Sequence, residues 1–324
     1  MDHSWCYWSV LLRLRDTERA DQLESSLIEF SNEIRSLPGI APFENRITLV
    51  EQFLESIRRV QYVHVIRDKL HSPLRANPRS DIFDPLRAAA IQKSFGNIEE
   101  ACWLVFLATH FGKHRRSGWR LTRDVYGALN AKSPWSWKRI STDPEGISKW
   151  LNKHYDILTG DGIPRHFGNH RKYESLHPDS NKGTGAVVTS YVYWVLKAGG
   201  HTQFFEDALT SSKGDPKAAF RQLYNSMDVL RFGRTAKFDY LTTIAKLGLA
   251  HISPDSAYLV GATGPLRGAR LLFGGTVTAR MLTADELDPW LVKLGESLGL
   301  GMQELEDALC NWQKVPSKFA KFRG

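Results

Sequence analysis

Residues 226–275 read SMDVLRFGRTAKFDYLTTIAKLGLAHISPDSAYLVGATGPLRGARLLFGG. Apolar and helix-forming residues dominate, and Gly264-Pro265 stands just ahead of Leu271, Leu272 and Phe273, a turn feeding a helix start. The same grammar recurs outward from this stretch. From Thr17, Leu23, Leu27, Phe30 and Ile34 return at helical spacing until Pro38-Gly39. A second helical pattern covers residues 46–70. Asp84-Pro85 supplies an N-cap and first-turn proline, and Asp143-Pro144, Asp215-Pro216 and Ser253-Pro254 repeat the signal. Asn97 opens a run to His110 that is apolar nearly all round and reads as the central buried helix. Thr283 with Glu286 forms a capping box. Residues 5–14 (WCYWSVLLRL) suit a short strand or a first helix. With roughly a dozen helical segments and almost no alternating pattern, the expected class is all-α.

The chain has 324 residues, 42% of them hydrophobic, enough for a large core. A best seam at Thr159–Gly185 gives an N-terminal part, 1–158, and a C-terminal part, 159–324, in one two-lobed unit. The net charge of +8 favours polyanionic partners. Cys6, Cys102 and Cys310 are too few and too scattered for a disulfide framework, and no apolar run reaches a membrane span. A soluble cytoplasmic protein is expected, with no membrane partner and no obligate protein partner.

Three stretches carry candidate chemistry. In 226–275, Arg231, Arg234, Lys237, Arg267 and Arg270 accompany Asp239 and the helix start at Thr263-Gly264, a combination suited to phosphate. The seam contains Arg165, His166, Asn169, His170, Arg171 and Lys172 around Gly168, then Tyr173 and Glu174, a loop able to enter a nucleic-acid groove. Behind it, Tyr191 and Trp194 share a helical face. In MQELEDALCNWQK, Asp307, Asn311 and Lys314 line one face opposite Leu305, Leu309 and Trp312. Each group also has an ordinary reading as a solvated surface or core packing. His110 and His114 have the spacing of two metal ligands but lack a third, so no metal and no cofactor is expected. There is no phosphate-binding GxxxxGK[ST] and no GxSxG elbow, and Cys102 sits in an apolar helix as an inert thiol.

With FGNHRKYESL, FGRTAKFDYL, GATGPLRGARLLF and EDALCNWQK in order, the chain from about Ile57 onward resembles the α-glutamyl/putrescinyl thymine pyrophosphorylase family, clade 3. That resemblance implies a helical bundle related to DNA glycosylases and work on hypermodified pyrimidines in phage DNA, such as excision of glucosylated hydroxymethylcytosine to leave an abasic site. It also implies a degenerate helix–hairpin–helix-like element at Gly264, in which Leu266 replaces the second glycine. Gly268 stands where bifunctional enzymes carry a lysine, which points to a monofunctional N-glycosylase. Spacing from such a hairpin points to Asp285 or Asp288 as the catalytic acid. Asp239 leads the candidates because three cations flank it in sequence, with Asp307 and Asp288 as rivals. Arg231, Arg234, Tyr173, Glu174, Tyr191, Asn311 and Lys314 are expected around the base. Arg165, His166, Asn169, His170, Arg171, Lys172, Thr263, Gly264, Arg267 and Arg270 are expected on DNA. Two alternatives stay open: a transferase acting on a pyrophosphorylated base, and a non-catalytic DNA-binding module.

Overall fold

Short polar side chains start the helices as their chemistry predicts. In a computed structural model describing residues 16–321, Asp84 accepts from the N–H groups of Leu86 and Arg87, both at 3.1 Å, to open α3 (Pro85–Ser94). Asn97 opens α4 (Ile98–Phe111), and Asp215 opens α10 (Pro216–Ser226). The Thr283–Glu286 capping box is complete at α13 (Ala284–Leu298). Two expected starts differ. Ser253-Pro254 opens no helix, because the following DSAYLVGATG has no apolar period for a helix to bury. Asp143 ends α6 (Trp137–Thr142), and α7 begins later, over Gly146–Gly160.

The described residues contain fourteen helices and no strand, an all-α fold. The remaining helices are α1 (Thr17–Glu33), α2 (Phe43–Asp68), α5 (Arg120–Tyr126), α8 (Thr184–Leu196), α9 (His201–Ser211), α11 (Arg234–Lys246), α12 (Gly264–Gly274) and α14 (Met302–Trp312). The 5–14 segment and Cys6 lie outside the described residues.

The chain forms two compact units, one reaching Tyr62 and resuming at Pro254, the other spanning Val63–Ser253. The Thr159–Gly185 stretch lies inside the second unit. In the first unit, Leu23, Leu27, Phe30, Phe53, Leu272, Leu291, Leu309 and Trp312 form the core. There α12 packs closely on α14 because it carries glycines one turn apart. A Cβ on Gly264 would stand 2.6 Å from Cys310 Sγ, and one on Gly268 would fall on the Leu309 carbonyl. Irregular chain over 247–263 precedes α12, so the helix–hairpin–helix comparison reduces to a single helix N-terminus.

In the second unit, α4 is the central helix, packed against α3, α5, α6, α9 and α11. Its residues from Glu100 to Ala108 are all buried, with Cys102 fully so, and burial pushes that thiol's pKa well up.

Candidate active site

The site is built where α4 stops. Gly112 takes φ +67° and turns the chain away after Phe111. Gly168 N–H then donates to the Phe111 carbonyl at 2.8 Å, and a Cβ on Gly168 would stand 2.8 Å from Gly112 C. Facing glycines therefore let the 163–174 loop cross the end of the helix. This crossing places Arg171, whose Nε donates to Thr109 O at 2.8 Å, a cation on the carbonyl-rich end of α4. The far side of its guanidinium reaches Asp239 Oδ2 at 3.4 Å.

A second ion pair crosses in the opposite sense. Arg231, held at φ +63°, donates to both carboxylate oxygens of Glu174 at 3.2 and 3.3 Å and to Tyr173 O at 3.1 Å. Beside it Phe232 stacks on Phe106, with ring centroids 5.2 Å apart, and Gly233 caps α11. The FGNHRKYE (167–174) and RFGRTAKFDY (231–240) segments are thus tied by Arg171–Asp239 and Arg231–Glu174.

Beneath them, a buried polar chain fixes the inner face of α11. The Tyr240 and Tyr191 hydroxyls lie 2.9 Å apart, and Tyr191 lies 2.6 Å from His201 Nε2. His201 Nδ1 meets Glu99 at 2.6 Å. Burial works against the Glu99 carboxylate, yet the His201 ring and the backbone N–H groups of Thr202 and His201 outweigh it and hold its pKa at about 2. Burial keeps His201 neutral and pushes both tyrosines far above their usual range. Nδ1–H therefore donates to Glu99, Nε2 accepts from Tyr191, and Tyr191 accepts from Tyr240. With Tyr240 anchored inward, its neighbour Asp239 points outward, its side chain 45% exposed. His110 is also buried. Desolvation, then the charges of Arg171 and Arg231, lower its pKa to about 3. Because the Thr184 hydroxyl donates to Ser175 O at 2.9 Å, neutral His110 donates from Nε2 to Thr184 at 3.0 Å.

Asp239 and Arg171 line a cleft of about 250 Å³, with Leu86 and Ala108 as apolar wall and Trp119 beside them. Asn169 lines this cleft and also an adjoining groove of about 740 Å³. That groove is lined by His114, Arg115, Arg116, His166 and Lys172, and by no carboxylate among the described residues. Arg115, Arg116 and Lys172 are exposed and face solvent as a cationic strip.

The structure brings some of the expected residues together and separates others. Asp239, Arg231, Tyr173, Glu174, Asn169, His170 and Arg171 come together around the end of α4. Lys237 turns to Tyr224 instead, donating to its carbonyl at 3.4 Å, and Arg234 lies over Phe238 at 5.0 Å. Arg171, sixty-eight residues away in sequence, also meets Asp239. Tyr191 is wholly buried, so it supports α11 and lines no cleft. Arg165, only 4% exposed, is consumed by Asp124 at 2.6 Å and Asp161 at 2.7 Å. Arg171 likewise spends its donors inside the protein. His166 and Lys172 remain open to a ligand.

Other candidates belong to the first unit. Asp307 meets Arg59 and the Ser56 hydroxyl, each at 3.4 Å. Asn311 donates to the backbone carbonyl of Asp307 and accepts from Lys314 Nζ, both at 3.0 Å. Asp288 accepts from Leu259 N–H at 2.9 Å, while Asp285 lies in the first turn of α13. Arg270 donates to Leu282 O at 3.0 Å, and Gly264 serves helix packing. Thr263 and Arg267 are exposed. Missed by sequence reasoning were Arg115, Arg116 and Trp119. Their signal was the run KHRRSGW directly after the buried helix, overlooked because His114 was weighed only as a metal ligand. That pairing fails geometrically: α4 ends at Phe111, and His114 Nδ1 lies 3.0 Å from Ser117 Oγ. Among the described residues no three His, Cys, Asp or Glu side chains cluster to hold a metal.

A profile of the alpha-glutamyl/putrescinyl thymine pyrophosphorylase family, clade 3, matches residues 44–324. The chain belongs to this family. The match begins some way before Ile57, at the second residue of α2, and runs through α14. Comparisons with curated proteins and with solved structures give no match. The family is named for chemistry on a modified thymine, which makes the chain one of a modified-base enzyme family. No helix among the described residues is long and apolar enough to cross a membrane.

Proposed function

We propose that this clade 3 protein is a monofunctional DNA N-glycosylase acting on a hypermodified pyrimidine, such as glucosylated hydroxymethylcytosine of phage DNA. One observation carries the reading: a half-exposed carboxylate, Asp239, lines a small cleft that adjoins a carboxylate-free cationic groove at Asn169. The groove suits a phosphate backbone, with His114, Arg115, Arg116, His166 and Lys172 as positioning contacts. The cleft suits one nucleotide turned out of the stack. In the reaction the C1′–N1 bond breaks and the base departs with the bonding pair. Water oxygen bonds to C1′, and its proton passes to Asp239 and on to the base. The Asp239 charge stabilises the cationic sugar in between. Tyr240 and Arg171 hold Asp239 from below and beside. An anti-phage role follows from such a substrate.

The family's name and the cation density of the groove also suit a transferase that displaces diphosphate from a modified base. Incubation with modified phage DNA followed by alkali separates the readings. A glycosylase yields alkali-labile sites on modified DNA and none on unmodified DNA. A transferase or a binding module yields none on either.

A further inference from the structure

Beside Asp239 the cleft has a tryptophan in its lining, Trp119, half-buried at the cap of α5. Every other tryptophan among the described residues is engaged: its ring meets another ring, a cation lies over it, or its N–H is bonded. Trp119 alone among them has no ring neighbour, no cation over it and no partner for its indole N–H. Aromatic side chains of this size are normally covered or tethered. An untethered indole in a cleft whose wall is apolar at Leu86 and Ala108, with Thr109, Thr243 and His170 at its edge, is matched to a flat ligand with a polar rim.

We infer that Trp119 is the stacking platform for a planar heteroaromatic base held in the Asp239 cleft. The inference rests on reading this cleft as the modified-base site and adds the residue that supplies base affinity. Stacking tolerates any base, because each has a π-face. Trp119 therefore contributes affinity without discrimination, and selection for the modification falls to the polar rim and the groove.

The test titrates the full chain with 5-hydroxymethyl-2′-deoxycytidine 5′-monophosphate, thymidine 5′-monophosphate and, as a base-free control, ribose 5-phosphate, reading tryptophan fluorescence. Both nucleotides should quench saturably and the sugar phosphate should not. Trp119→Leu should abolish the quench and raise both nucleotide Kd values about 5- to 150-fold, while Trp119→Phe binds within a few-fold of wild type. If Trp119→Leu loses its helical circular dichroism, Trp119→Phe decides alone: near-normal binding without the quench supports the platform, and an unchanged quench overturns it. Absence of quenching in wild type overturns it too. Abasic-site formation with an unaltered KM in Trp119→Leu would remove the platform and leave the glycosylase reading intact. A Trp119-dependent quench without abasic sites would do the reverse.

Discussion

The four family motifs meet in two pairs, and the pairs are joined by different physics. In the first unit, α12 and α14 approach through Gly264 and Gly268, backbone against side chain and carbonyl, with Leu309 and Trp312 fully buried. Such a contact is close-packed and has no space to admit a ligand. In the second unit the other two motifs are held by Arg171–Asp239 and Arg231–Glu174, partly exposed side chains of which the first pair lines a cleft. Exposed ion pairs contribute roughly 0–1 kcal/mol each, so they are a weak way to secure a fold. Crossed pairs on a rigid helix end are a good way to aim a carboxylate. On the proposed function, one motif pair serves cohesion and the other serves chemistry.

The largest break in that contrast is Asp239→Asn. Removing a charge that acts mainly in the transition state should slow abasic-site formation at least ~100-fold, about 2.7 kcal/mol of barrier, with binding to modified DNA retained. Thermal stability should stay close to wild type, because the partner Arg171 keeps its bond to Thr109 O. A mutant with normal single-turnover rate but a lowered melting temperature would assign Asp239 to cohesion and turn attention to Asp307 and Asp288. In the packed pair the pattern should invert. Gly268→Ala forces a methyl group onto the Leu309 carbonyl and should cost about 1–3 kcal/mol of stability in denaturant titration. Its turnover per folded molecule should be unchanged, and a large loss of turnover with stability intact would erase the division of labour.

Acid should loosen the second unit through its buried imidazoles. His110, with its folded pKa near 3, stays neutral when an unfolded-chain histidine begins to protonate near pH 6.5. Its stability contribution is therefore full above pH 6.5 and is lost as pH falls toward 3. About 1 kcal/mol should go between pH 7 and 5.5. His201, also lowered, acts in the same direction, and Glu99 adds a loss at lower pH, below the usual carboxylate range toward 2. Urea titrations across this range should show the decline, and His110→Gln, which keeps an N–H toward Thr184, should flatten it. An equal decline in both proteins would place the acid sensitivity elsewhere.

The fold class was legible because caps and apolar spacing are local. Asp84, Asn97, Asp215 and Thr283 each mark a helix within three residues, with no long-range information required. Asp239, Arg231, Arg171 and Glu174 were legible as a charged set, since they lie within or directly beside two of the motifs. Their pairing was not. Lys237 and Arg234 stand nearer to Asp239 in sequence than Arg171 does, and only the glycine crossing at Gly112 and Gly168 brings Arg171 to it. Tyr191 looked like a pocket wall because helical periodicity gives a face without saying what covers it. Arg165 resembled a phosphate contact for a similar reason: Asp124, forty-one residues away, neutralises it.

The smallest expected effect sharpens the open side of the comparison. Arg116 is exposed in the groove and has no ion-pair partner among the described residues, so Arg116→Ala should leave stability within about 0.5 kcal/mol of wild type. If the groove holds backbone phosphates, each lost contact releases one fewer counterion. The slope of log K against log salt should then fall by about 1, and affinity should drop about equally for modified and unmodified DNA. Arg165→Ala is the matching control, because its guanidinium is spent on Asp124 and Asp161; it should cost stability and leave the salt slope alone. Were Arg116→Ala instead to abolish discrimination for the modified base while the slope stayed fixed, the groove would hold the base's substituent, and the DNA backbone would have to run elsewhere on the protein.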